Sequence, residues 1–325
     1  MTSAARTISP SAPAEGRRRR RLSAQTRRSL ILGLLFISPW LVGFFAFYLY
    51  PALAALFYSF TDFKILAEPR FVGLANYQKM LADPLFWRSL SNTVYLTFLG
   101  IPLAVLTALA IALLLNTKNI RGIGLFRTIF YLPVVVPSVA AALLWMWLLN
   151  PQYGLVNQAL AVVGIDGPAW FFDPDWSKNG IILLTVWAAG DVVIIYLGAL
   201  QGVPQTLFEA AEVDGAGRWA KIRHVTIPMI SPAILFNLVT GAIGAFQYFS
   251  QAYVISEGTH VGSGAVGGVQ NSLLFYGLNL YNNAFRYFRM GYASALAWVL
   301  LIVILATTLV MLRLSRSRVY YEGER

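Results

Sequence analysis

The sequence predicts an all-α integral membrane protein with about six transmembrane helices and no soluble domain. Three observations carry this. Of its 325 residues 58% are hydrophobic and only 12% are charged, whereas soluble domains average about 25% charged residues. Apolar runs near the ~20 residues that an α-helix needs to cross a bilayer recur at approximately 30–57, 91–115, 126–149, 180–200, 229–255 and 290–312. The Lys and Arg residues lie asymmetrically on the segments between those runs.

Residues 1–29 are polar and contain Arg17 to Arg21, Arg27 and Arg28. Their low hydrophobicity cannot offset the entropy of ordering, so they read as a disordered basic tail attracted to anionic lipid. Thr26-Arg27-Arg28-Ser29-Leu30 faintly resembles a twin-arginine signal. The apolar run nevertheless continues to about Phe60 with no small-residue cleavage site, which predicts an uncleaved first span. Pro39, Pro51, Pro102, Pro133 and Pro137 fall in or near the spans. Neighbouring helices can re-satisfy the carbonyls that proline frees, so kinks are expected there and not helix ends.

Placing the N-terminus inside puts 18 of the 25 Lys and Arg residues on inner segments and 7 on outer ones. The inner groups are residues 1–29, Lys118 with Arg121 and Arg127, Arg218 with Lys221 and Arg223, and the residues from Arg313 onward. The positive-inside rule then sets both termini in the cytoplasm. The boundaries are a tail at 1–29, a membrane domain at 30–315 with an inner loop at 204–228, and a cytoplasmic tail at 316–325.

The outer loops have features of their own. Asp83-Pro84 reads as a helix N-cap followed by its first turn. Trp170, Phe171, Phe172 and Trp176 read as interfacial aromatics or as amphipathic elements lying on the outer face. The segment 256–289, which begins glycine-rich with SEGTHVGSGAVGGVQ, reads as a mobile loop.

Composition also excludes classes of function. Cys is absent, which removes disulfides, thiolate metal sites and thiol nucleophiles. His224 and His260 are too few for a histidine metal cluster, and neither has a deep acid–base setting. No catalytic constellation, metal or cofactor is called for. The net charge of +11 follows the membrane topology, so it does not point to nucleic acid.

The most distinctive segment is EAAEVDGAGRWAKIRHVTIP, Glu209 to Pro228. Pro204 to Leu207 would start a helix that Glu209, Ala210, Ala211 and Glu212 favour. Asp214-Gly215 would then end it with a left-handed glycine. A second helix would carry Arg218, Lys221 and Arg223 before Pro228 and Pro232 return the chain to the bilayer. Physically this is either a docking helix for a groove on another protein or an ordinary charged inner loop.

Glu209, Ala210, Ala211, Gly215, Val225, Ile227 and Pro228 fit a Glu-Ala-Ala, three residues, Gly, nine residues, apolar-x-apolar-Pro pattern. The segment resembles the EAA loop of bacterial ABC importer permeases, in the maltose-type carbohydrate uptake branch. Residues 71–93, 132–157 and 291–300 resemble further blocks of that branch, and the resemblance covers roughly 30–315. It implies one of two transmembrane subunits, in a heterodimer with a second permease subunit, in the inner (plasma) membrane of a bacterial cell. Glu209, Ala210, Ala211, Asp214 and Gly215 would be the coupling positions, seated in a cleft of one of two cytoplasmic ATP-binding subunits. An extracytoplasmic sugar-binding protein would deliver the solute. The chain has no GxxxxGK[ST] motif of its own.

The resemblance also places the sugar near the midplane, between the span containing Asp191 and the one after the inner loop. Asp191 is the one acidic residue of 14 deep in a span. Such a charge normally faces a cavity or a partner, either as an acceptor for sugar hydroxyls or in an interspan or subunit contact. Asn237, Gln247 and Gln251 supply polar groups. Gly241, Gly244, Ala245 and Tyr248 recur at helical spacing, giving room for a solute with Tyr248 stacking on it, or else close helix packing. Trp145, Trp147 and Trp187 are read as packing residues or interface anchors. The competing reading is an ion-gradient-driven secondary transporter, which would need internal repeats and more buried ionisable groups; a membrane scaffold would need neither Asp191 nor a polar fifth span.

Overall fold

The computed structural model describes residues 24–65, 67–117, 122–259, 267–316 and 319. The basic run Arg17–Arg21, Lys118, Arg121, His260 and most of the C-terminal tail lie outside the described residues. Two compact units divide the chain, Met1–Ala54 and Ala55–Arg325. Among the described residues there is no strand, only isolated antiparallel bridges at Thr61–Phe71 and Lys64–Ala67.

Three helices are long and apolar enough to cross a membrane alone: α1 (Arg28–Ser59), α3 (Pro84–Leu115) and α14 (Met290–Ser315). Three bent pairs bring the number to six if each is one span. They are α4 with α5 (Ile123–Val135 and Ser138–Leu148), α7 with α8 (Ser177–Trp187 and Gly190–Gln201), and α10 with α11 (Arg218–Met229 and Ser231–Phe246). Short helices fill the connections: α2 (Ala75–Ala82), α6 (Leu155–Val162), α9 (Gln205–Val213), α12 (Ser250–Gly258) and α13 (Tyr276–Tyr281). Helical backbone in α1 reaches back to Ala24, ahead of the boundary expected at residue 30.

The prolines explain much of the irregularity. Three of the four π-turns among the described residues, Phe45–Leu49, Leu96–Gly100 and Ile222–Thr226, end two residues before Pro51, Pro102 and Pro228. Each turn contains the residue whose carbonyl would bond the missing proline N–H: Phe47, Phe98 and His224. A widened turn carries that carbonyl away from the proline ring, so the helix continues past Pro51 and Pro102; at Pro228 it runs only to Met229, where the 65° bend follows. Pro137 behaves differently and corrects the expectation of a kink. Val136 is extended (φ −74°, ψ 123°), as the residue before proline prefers, and α4 and α5 meet at 105°.

Asp83 caps α3 as the sequence implied: its Oδ1 accepts from Leu85 N at 2.9 Å, with Pro84 in the first turn. The outer segments depart from expectation. Trp170 and Phe171 are buried in the core and not interfacial. Trp170 Nε1 donates to Asn157 Oδ1 at 2.6 Å, and Phe171 packs where Gly180 has no side chain. Residues 267–286 are not a mobile loop either. Leu273, Leu274, Phe275, Tyr276 and Leu278 are among the most buried residues of the protein. Asn92 Nδ2 donates to the carbonyls of Asn271 and Leu274, both at 3.0 Å, and Tyr276 N donates to Thr93 Oγ1 at 2.9 Å. Asn279 Nδ2 donates to Ser89 Oγ at 3.2 Å. One polar face of α3 thus satisfies a segment with little regular structure. Gln270 and Asn271 there adopt positive φ (51° and 58°).

The start of α14 is pinned to the outer hairpin. Gly291 N donates to Phe63 O at 3.0 Å, and Tyr292 Oη donates to Asp83 Oδ2 at 2.9 Å. A Cβ on Gly291 would overlap the Thr61 carbonyl oxygen, whereas one on Gly244 would meet nothing within 4 Å. Gly291→Ala is therefore expected to destabilise by about 2 kcal/mol, as overpacking against a fixed backbone does. Thermal unfolding of the purified protein should show a lowered midpoint for it, and an unchanged or raised one for Gly244→Ala.

Candidate translocation site and inner docking helix

Two helix breaks face one another inside the second unit. The first, at Ala188–Ala189, separates α7 from α8 with a 44° bend. The second lies at the end of α11. The apolar run 229–255 predicted one helix, but α11 stops at Phe246 and α12 starts at Ser250. Phe249 between them has φ −140° and ψ −60°. Nothing in the composition of the run marks this break, because Gln247-Tyr248-Phe249 holds neither Gly nor Pro.

A cavity of about 210 Å³ lies between these breaks. Asp191, Asn237, Gly241, Tyr248 and Gln251 all line it. Five of the six residues expected along the pathway therefore converge, from α8, α11 and α12 and the break between the last two. Gln247 does not line it; it caps α11 and is exposed. Thr185 on α7 and Ile101 and Ala104 on α3 complete the wall. Sequence reasoning missed these, since one threonine and ordinary apolar residues in spans carry no signal.

Local structure sets each side chain. Asp191 stands in the first turn of α8, where a carboxylate is favoured by the helix dipole. Its Oδ1 accepts from Val192 N at 2.8 Å, and the side chain is exposed. Asn237 is buried and donates to Ala233 O of its own helix at 2.9 Å. The Tyr248 hydroxyl is buried with no hydrogen-bond partner. An unpaired buried hydroxyl is costly, so one beside a cavity is suited to a ligand or water. Gly241 serves both alternatives at once: it lines the cavity, and a Cβ there would come within 2.7 Å of Ile101 Cγ2. The expected common face does not extend further. Ala245 is buried in the core, Gly244 is exposed, and Tyr248 lies beyond the helix end. Trp145 and Trp187 pack edge to face at 6.0 Å, consistent with a packing role.

The inner loop forms the helix–turn–helix that its residues imply. Pro204 leads into α9, and Gly215 ends it with φ +75°. Ala216 N donates to Ala211 O at 2.9 Å and Gly215 N to Glu212 O at 3.0 Å. Those are the paired bonds of a Schellman cap. Lys221 Nζ binds Glu212 Oε1 at 2.6 Å and ties α10 to α9. Glu209, Ala210, Asp214 and Gly215 are exposed and Ala211 is half-buried. Two apolar side chains missed by the sequence pattern stand out beside the turn: Val213 is 89% exposed and Trp219 82%.

A bundle of broken helices around a largely apolar cavity with a few polar groups, and an exposed capped helix between two of the spans, is the architecture of a multi-pass membrane transport protein. The chain belongs to the family of inner membrane components of binding-protein-dependent transport systems, which matches residues 84–319. It is 39% identical to the probable ABC transporter permease protein YesP of Bacillus subtilis over 93% of this chain and 96% of that one. It is 35% identical to the lactose transport system permease protein LacF of Rhizobium radiobacter, over 88% and 94%. A solved bacterial ABC transporter involved in import of the acidic polysaccharide alginate superposes with a TM-score of 0.70 at 25% identity, covering 90% and 97%. These relatives favour the permease reading over an ion-gradient-driven transporter.

Tyr248→Phe tests the site without disturbing the fold. The variant loses no existing hydrogen bond, so its unfolding midpoint is expected to be unchanged. Uptake by the assembled transporter should fall about fivefold, the worth of one hydrogen bond to the solute.

Proposed function

We propose that this chain is one transmembrane subunit of an ATP-driven importer that translocates a sugar handed over by an extracytoplasmic solute-binding protein. The relatives that act on lactose and on alginate support a carbohydrate cargo. The observation that carries the reading is the convergence of Asp191, Asn237, Gly241, Tyr248 and Gln251 on one cavity. At about 210 Å³ it is smaller than most enclosed ligand pockets, which span roughly 300–1,000 Å³. A second permease subunit facing it, in a heterodimer, would complete the chamber.

In this reading both termini are cytoplasmic and the α9 turn faces one of two ATP-binding subunits. Glu209, Ala210, Ala211, Asp214 and Gly215 seat in a cleft of the ATPase, and Val213 and Trp219 supply the apolar contact. Exposed apolar side chains beside a rigid turn are suited to anchoring an interface. Closure of the ATPase pair would drive the two loops together and exchange inward-facing for outward-facing states.

Copurification tests the docking. Trp219→Ala and Glu209→Lys with Gly215→Pro are each expected to reduce recovery of the ATP-binding subunits at least tenfold and to abolish uptake, while the permease still reaches the membrane. Intact recovery and transport in both would make α9 an ordinary loop. Uptake that persists with the ATP-binding subunits inactivated would contradict the importer reading itself.

A further inference from the structure

We propose that Asp191 restricts this pathway to sugars without negative charge, so that uronates and sugar phosphates are rejected even where their size fits. This rests on the reading of the cavity as a sugar path. Asp191 contributes a carboxylate to the wall, and among the described residues no Lys or Arg lines the cavity. Nor do the helices that build the wall supply a cation nearby. Arg88 on α3 precedes Ile101 by thirteen residues, about 20 Å of helix. Lys178 on α7 precedes Thr185 by seven residues, and its Nζ lies 5.0 Å from the ring centre of Tyr95. α8, α11 and α12 carry one further charged residue, Glu257, which is paired with Arg286 at 3.0 Å.

A carboxylate can only accept hydrogen bonds. Sugar hydroxyls donate to it, and the unpartnered Tyr248 hydroxyl can donate to or accept from the same ring. A second carboxylate brought by the cargo would meet the like charge of Asp191 with no group of opposite charge in the wall to offset it. The solved relative that imports acidic alginate shows that the fold does not itself impose this restriction.

The test uses the assembled transporter in nanodiscs, with its partner subunits but without the solute-binding protein. Equilibrium dialysis would measure retention of a radiolabelled panel of neutral disaccharides (lactose, maltose, trehalose, cellobiose) against digalacturonate. Wild type is expected to retain at least one neutral member tenfold or more above digalacturonate. Asp191→Asn keeps the oxygen that accepts from Val192 N and removes only the charge, so the ratio should fall to within about threefold. Equal retention of digalacturonate by wild type, as a cation from the second subunit would produce, overturns the proposal. So does a ratio that Asp191→Asn leaves unchanged. Retention of no panel member by wild type overturns the sugar reading beneath it.

Discussion

In a bilayer every backbone N–H and C=O must find a partner inside the protein, and most of this structure follows from that constraint. A helix satisfies it automatically; a broken helix satisfies it only where the break is buried in protein or lines a cavity. The breaks at Ala188–Ala189 and Gln247–Phe249 both border the cavity that holds Asp191. Ahead of Pro51 and Pro102 the chain absorbs the missing N–H with a π-turn and continues, whereas the π-turn before Pro228 is followed by a 65° bend after Met229.

The same constraint governs the outer segment 267–286. Its short helices and positive-φ residues leave backbone groups that a bilayer or an apolar core would not tolerate. Asn92 and Thr93, on the polar face of α3, supply three of the missing partners. Truncating such a buried donor strands its partners and costs more than the hydrogen bond itself contributes. The segment 267–286 is thereby locked to a long, continuous span.

Much of this was legible in the sequence where one residue type dictates one geometry. Asp83-Pro84 announces a capped helix, Gly215 announces a left-handed turn, and Asp191 announces a polar environment because nothing else in the spans is charged so deep. Other features depend on tertiary context. The end of α11 at Phe246 has no breaker residue to mark it. Trp170 and Phe171 look interfacial until Gly180 and Asn157 provide a seat for them. The 105° bend at Pro137 and the kink-free passage at Pro102 come from the same residue type, and only the surrounding packing distinguishes them. The glycine-rich start of 256–289 hid a buried segment because turn-forming residues precede a run, Leu273 to Leu278, that is core.

These elements join into one mechanical unit. α8 runs from Asp191 at the cavity to Gln201, and α9 begins four residues later. On the other arm, α10 leads into α11, which ends at the second break. Each arm of the inner loop is thus one helix away from a cavity wall, about 18 Å for the twelve residues of α8. Displacement of α9 would move both breaks together. The chain contains no Cys, so single cysteines can report this directly. In the assembled transporter, Gln251→Cys and Val192→Cys should react with a membrane-impermeant thiol reagent at rates that change when ATP is trapped, and cargo should protect them. Phe236→Cys, 56% exposed on α11 but outside the cavity lining, should show neither effect. Equal reactivity at all three positions, indifferent to ATP and cargo, would contradict a translocation path between the two breaks.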